Sequence, residues 1–162
     1  DRGEAIARWM SGSLGDDADP VAVGVTGGLA LLALVVGTAF ARTLDLLSLS
    51  DDEARSLGVH VPRVRVLIFV ATGILSAGAV VIAGPIGFVG LVCPHVARLL
   101  VGAGHRAMLP AAGLLGVALV VGADVLVRSL QLPSGRLPIG VLTAIIGGPV
   151  FLLLLRRERS IE

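Results

Sequence analysis

The chain has 162 residues, is 55% hydrophobic with a mean hydropathy of +0.94, and is only 15% charged, against roughly 25% for a soluble domain. That is the composition of a membrane protein. A net charge of +1 gives no sign of the basic footprint of a nucleic-acid binder, and because all 13 basic residues are arginine, a Walker A phosphate loop with its lysine is excluded.

The lone Cys93 rules out an internal disulfide. The chain opens on DRGEAIARW, without an initiator Met or the basic, apolar, small-residue order of a signal peptide, so the expectation is a piece of a longer protein.

Residues 21–41 form the first charge-free run, long enough for one helix across a hydrocarbon core about 30 Å thick. The loop over 43–62 then carries LSDDEARSLGVHVP. Ser50 and Glu53 have capping-box spacing, Asp51 and Asp52 favour the positive end of a helix dipole, and Gly58 can close the helix in left-handed geometry. A helix of about two turns is unstable alone, so Ala54 and Leu57 are expected to pack against the membrane domain or a partner. An interfacial helix and a docking helix for a cytosolic subunit both fit this pattern.

The next charge-free run, 66–94, is too long for one span: its 29 residues would make a helix of about 43 Å. Gly84-Pro85 should stop it near Ala83, leaving a first span over 66–83 and a short broken piece over 86–101. Gly84, Gly87 and Gly90 are expected to allow close backbone approach or sharp turns, and Pro94 to begin the short helix. Further spans are expected over 107–130 and 138–155, with a second break at Gly148-Pro149.

Arginine placement argues that the short piece crosses. Five crossings divide the arginines nine to four, whereas a segment that dips and returns divides them seven to six. The positive-inside rule favours the first, with the loop 43–62 and the C-terminal RRERSIE on the cytoplasmic side. A broken crossing is tolerated only where protein or a water-filled cavity satisfies its backbone, which suits a transporter.

His95 and Arg98 share a helix face, and Asp124 and Arg128 are four apart on the next helix. Ionisable groups at membrane depth mark ion or substrate paths by default. Here the preferred reading is structural: Asp124 and Arg128 neutralise each other, and Arg98 extends to the interface. Cys93 and His95 are too few to hold a metal, and no metal site is expected. On the last span Gly140, Thr143, Ala144, Gly147 and Phe151 form a small, mildly polar face of the kind that packs tightly against another helix.

Taken in order, LSDDEARSLGVHVPRVR, AGPIGFVGLVCPHVARLLVGAGHRAMLPAAGLLGVALVVGADVLVR and LPIGVLTAIIGGPVFLLLLRR closely resemble the permease subunit of type II ABC importers, the FecCD-type family of ferric-siderophore, haem and vitamin B12 uptake. The resemblance runs from about residue 8 to residue 157. It implies an all-α polytopic bundle corresponding to helices six to ten of a ten-helix permease. It further implies that Ser50, Asp52, Glu53, Ala54, Arg55, Leu57 and Gly58 belong to a coupling helix seated in a partner ATPase, which moves docking ahead of the interfacial reading. Gly84, Pro85, Gly87, Gly90, Pro94, His95 and Arg98 become the broken element, and Gly140, Thr143 and Gly147 border the translocation pathway. Cys93 departs from the family pattern, where an aliphatic residue is usual.

The expectation is thus a multi-pass permease of a bacterial cytoplasmic membrane importing a metal chelate or cobalamin, not itself an enzyme. The chain would bind no cofactor, with ATP and Mg on separate ATPase subunits. Its other expected partners are a second permease copy, a periplasmic or lipid-anchored substrate-binding protein and membrane lipid, with no nucleic acid. Two competing readings are a secondary transporter, with an ion site at the broken helix and a proton-carrying Asp124, and a simple membrane anchor. A secondary transporter has no need of a capped docking helix, and an anchor gains nothing from broken backbone in lipid.

Overall fold

The computed structural model describes residues 19–129, 140, 142–145 and 147–149, and every regular element among them is α-helical. Helix α1 (Pro20–Ala39) begins where Asp19 accepts from the Val21 amide at 3.1 Å and Pro20 takes the first position, where no donor is needed. It ends two residues earlier than residue 41, and Phe40 separates it from an unexpected short helix, α2 (Ala41–Leu46). Helix α3 is Asp51–Ser56.

Helix α4 (Val61–Ala83) starts five residues before the expected 66, because Pro62 in its first turn lacks only an amide that no helix start uses. Arg63 and Arg65 are therefore helical. The short helix α5 is Val89–Val101, and α6 is His105–Ser129, starting at His105 rather than 107. Residue 130 lies outside the described residues, as do most of the residues of the last expected span. Those described within it, 140, 142–145 and 147–149, are helical, Gly148 and Pro149 among them, and the residues after Pro149 lie outside the described ones.

Helix α1 packs against both α4 and α6, and α5 packs along α6. Glycines set two of these approaches. A methyl on Gly78 of α4 would stand 3.1 Å from both γ atoms of Thr26 on α1, and one on Gly37 of α1 would stand 3.1 Å from Leu109 Cδ1 on α6. Without a large apolar transfer term between helices in lipid, such close backbone contact is a main source of attraction. The outward faces are apolar: Phe69 is 80% exposed, and Leu67, Leu114 and Val117 are exposed with it. Helices α1, α4 and α6 are each long and apolar enough to cross a membrane, and α5 is shorter and apolar.

Candidate functional site

The turn ahead of α3 is closed by reciprocal bonds. Ser50 Oγ accepts from the Glu53 amide at 3.4 Å, while Glu53 Oε2 accepts from the Ser50 amide at 3.1 Å and its hydroxyl at 2.7 Å. These two donors hold the Glu53 carboxyl below its ordinary range. At the other end Gly58, with φ +84, allows the Val59 amide to reach Ala54 O at 3.0 Å and the Gly58 amide to reach Arg55 O at 2.9 Å. That is a Schellman closure. Two caps thus hold a helix of only six residues that its own length would not support.

Its placement is equally specific. Ala54 is 0% exposed, seated against the chain, and Asp51 takes two bonds from the Arg65 guanidinium on α4, at 2.7 and 3.1 Å. Asp52 pairs loosely with Arg55 at 3.7 Å and projects outward. Leu57 does not pack on the membrane helices, the first of its two expected supports: it is 59% exposed, beside the left-handed turn at Gly58. Leu49, before the helix, is exposed too, so α3 shows apolar side chains and a carboxylate on its free side.

A second contact at this end had no counterpart in the sequence reading. Asp45 Oδ1, on α2, accepts from the His105 amide at 2.9 Å and meets His105 Nδ1 at 2.6 Å, across 60 residues of chain. The residue before His105 is Gly104, which has no side chain to cap α6, so Asp45 caps it from another element. The His105 amide foremost, then its ring, lower the Asp45 pKa. The only signal in the sequence was the side-chain-free residue before a helix start.

This contact also sets direction. Helix α4 leaves the α2–α3 end, and α5 is followed directly by His105, which returns to Asp45. The broken segment therefore runs back to the end of the bundle that holds α3.

At the break, Gly84 ends α4 with φ +70 and residues 84–87 are not helical. Phe88 starts α5 in left-handed backbone, φ +66, its carbonyl accepting from Val92 at 2.9 Å. This corrects the placing of Pro94 at the helix start. It is the sixth residue of α5, because Phe88 caps the helix six residues ahead of it, and its missing donor leaves Gly90 without its usual partner. Gly87 and Gly90 are corrected as well: neither has positive φ, and a Cβ on either would meet nothing within 4 Å. His95 is half-buried and Arg98 exposed, and neither has an ionic or hydrogen-bonding side-chain partner among the described residues.

Near the far end of α6, Asp124 Oδ2 accepts from Arg128 Nε at 2.8 Å. Ala123 and Val127 there form a buried cluster with Ile86 of the break and Leu142. Thr143 is 1% exposed and donates to Gly140 O at 3.1 Å, and a Cβ on Gly147 would collide with Phe88, standing 2.7 Å from its Cγ. Thr143 and Gly147 thus pack within the chain, Gly147 on the broken segment. Phe151 lies outside the described residues. Among the described residues no three of His, Cys, Asp and Glu converge as metal ligands.

Comparison with known proteins matches the FecCD transport family model to residues 1–157. The chain belongs to the FecCD transport family. It is 43% identical over 152 residues to the hemin transport system permease protein HmuU of Yersinia pestis, covering 94% of this chain and 45% of the relative. The Fe(3+) dicitrate transport system permease protein FecD of Escherichia coli is 43% identical over 93% of this chain and 47% of its own length. The cobalamin import permease BtuC of Halobacterium salinarum is 43% identical over 78% of this chain and 35% of its own length. A metal-chelate type ABC transporter solved in an inward-facing conformation superposes with a TM-score of 0.84 at 36% identity, covering 94% of this chain and 50% of that one. The chain spans about half the length of the curated relatives it matches. As a member of the FecCD family with several apolar helices, it is a multi-pass membrane protein.

Proposed function

We propose that this chain is the C-terminal half of the permease subunit of an ATP-driven importer for a metal chelate, a ferric siderophore, haem or a cobalamin. Helix α3 carries the reading: it is capped at both ends, held to α4 by Asp51–Arg65, and turns Leu57 and Asp52 outward. A short helix fixed at both ends, with apolar and acidic side chains exposed beside one another, suits the docking of a motor subunit. In this role Ser50, Asp52, Glu53, Ala54, Arg55, Leu57 and Gly58 form the coupling element, and ATP with Mg binds to the partner ATPase.

Closure of two ATPases on ATP then moves α3, and the pathway between two permease copies changes the side to which it opens. A substrate-binding protein delivers the chelate from the opposite face. The arginine distribution supports a cytoplasmic position for α3 and for the C-terminus. The secondary-transporter reading is weaker, since the carboxylate it requires, Asp124, is engaged by Arg128.

The test is recovery of the intact transporter from native membranes in mild detergent with cross-linking. An ATPase subunit cross-linked to residues 50–60 is expected. Repeated recovery without any ATPase, with the loop intact, overturns the reading.

A further inference from the structure

Helix α3 is tied to the rest of the bundle on two sides. One tie is Asp51–Arg65, directly to α4. The other passes backward along the chain. From Glu53 the bonds run to Ser50, and through the turn before it the Leu49 amide bonds to Leu46 O at 3.2 Å. The Ser48 hydroxyl bonds to Asp45 O at 2.6 Å and the Leu47 amide to Thr43 O at 3.1 Å. Residues 43–49 and residues 50–54 are thus two hydrogen-bonded segments that meet at the single Leu49–Ser50 peptide link, and Asp45 lies within the first, facing His105.

Helix α2 packs on α6, and α6 packs along α5. The far part of α6, through Ala123 and Val127, holds Ile86 of the break and Leu142. A helix of 25 residues spans about 37 Å, with Pro110 in its second turn, and so physically links His105 to the residues that hold the break. The carboxylate at the head of α6 sits at the positive end of that helix, and with His105 20% and Asp45 43% exposed, solvent partly screens the pair, so the two bonds to the His105 amide and ring carry the contact.

We propose that Asp45 is a positioning residue that clips the segment leading into α3 to the first residue of α6, so that a push on α3 is delivered to α6 and thereby to the Gly84–Phe88 break. This rests on the coupling role given to α3 above. Asp51–Arg65 serves the α4 side and Asp45–His105 the α6 side, so that α4 and α5, which flank the break, are both driven.

The experiment uses the intact transporter with its ATPase in proteoliposomes, loaded with hemin, ferric dicitrate or cyanocobalamin, whichever the wild type accumulates. The readout is substrate moved per ATP hydrolysed, a ratio that partial loss of folded protein does not change. Asp45→Ala is expected to lower the ratio at least about fivefold, the lower end of typical site-to-site coupling. Asp45→Asn keeps an acceptor for the His105 amide and is expected to fall between Asp45→Ala and wild type, and it answers the question if Asp45→Ala does not assemble. Adding His105→Ala to Asp45→Ala is expected to cost little more. Transport and hydrolysis falling in proportion in both Asp45 variants, with the ratio unchanged, overturns the clip and leaves Asp45 a structural cap. A wild-type complex without ATPase instead refutes the proposed function itself.

Discussion

Phe88 and Gly147 interlock: Phe88 holds left-handed backbone at φ +66, and its side chain occupies the space that a Cβ on Gly147 would need. The break between α4 and α5 is thereby keyed to the last described helical residues. Only glycine fits beneath Phe88. Gly147→Ala is expected to destabilise the protein by about 1–3 kcal/mol, since extra volume at a packed contact forces backbone or rotamer shifts. Gly148→Ala, where a methyl would meet nothing within 4 Å, is expected to be neutral or slightly stabilising. Thermal unfolding of both variants in the same detergent checks the pair, and equal midpoints would remove the interlock.

Gly58 is a backbone position, not a packing one. Its φ is +84 while a Cβ there would meet nothing within 4 Å, so Gly58→Ala measures left-handed strain alone, about 1–2 kcal/mol. Gly58→Val adds the penalty of a branched side chain. Both are expected to lower transport-coupled ATP hydrolysis in the intact transporter and to leave membrane insertion normal. Glu53→Lys, which removes half of the capping box, should do the same, and normal coupling in all three would take α3 out of the mechanism.

Acid should open the cap of α3 only below the ordinary carboxylate range. The Ser50 hydroxyl and amide hold the Glu53 pKa down, so the ionised form is favoured by folding. Its contribution is complete above the unfolded value of about 4.3 and is lost as pH falls through the lower folded value. Hydrogen exchange across residues 50–56 is therefore expected to stay slow down to pH 5 and to rise below about pH 4. Glu53→Gln should exchange faster at neutral pH, with a smaller acid response. An opening centred near pH 6 would contradict this assignment.

The Asp124–Arg128 pair predicts partial rescue on exchange. With Asp124 20% exposed and Arg128 42%, solvent screens the pair, and Asp124→Ala is expected to cost about 1 kcal/mol. Asp124→Arg with Arg128→Asp restores opposite charges but places the acid nearer the negative end of α6 and reverses the favoured order, so recovery is incomplete. Denaturation in mild detergent reads both. Unchanged stability with abolished transport would instead assign Asp124 to an ion path.

What the chain determined by itself is local. The spacing of Ser50, Glu53 and Gly58 specifies a capped helix because each bond involved spans only three to five residues. Gly84-Pro85 specifies a break for the same reason, and long charge-free runs specify helices that lipid can surround. Asp124 and Arg128, one turn apart, could be paired from the sequence on helix geometry alone.

Tertiary structure decided what joins these pieces. Nothing near Asp45 in sequence points to His105, since the bond closes across 60 residues and depends on α2 lying against α6. Phe88 has the sequence of an ordinary apolar residue, and only the structure shows its left-handed backbone and the packing of Gly147 beneath it. Pro94 could be read as a helix start until Phe88 took that place, and Leu57 as a contact of either the membrane helices or a partner until its exposure removed the first. Periodicity and caps act over one or two turns, whereas the faces that meet between helices depend on their relative placement, which no local pattern carries.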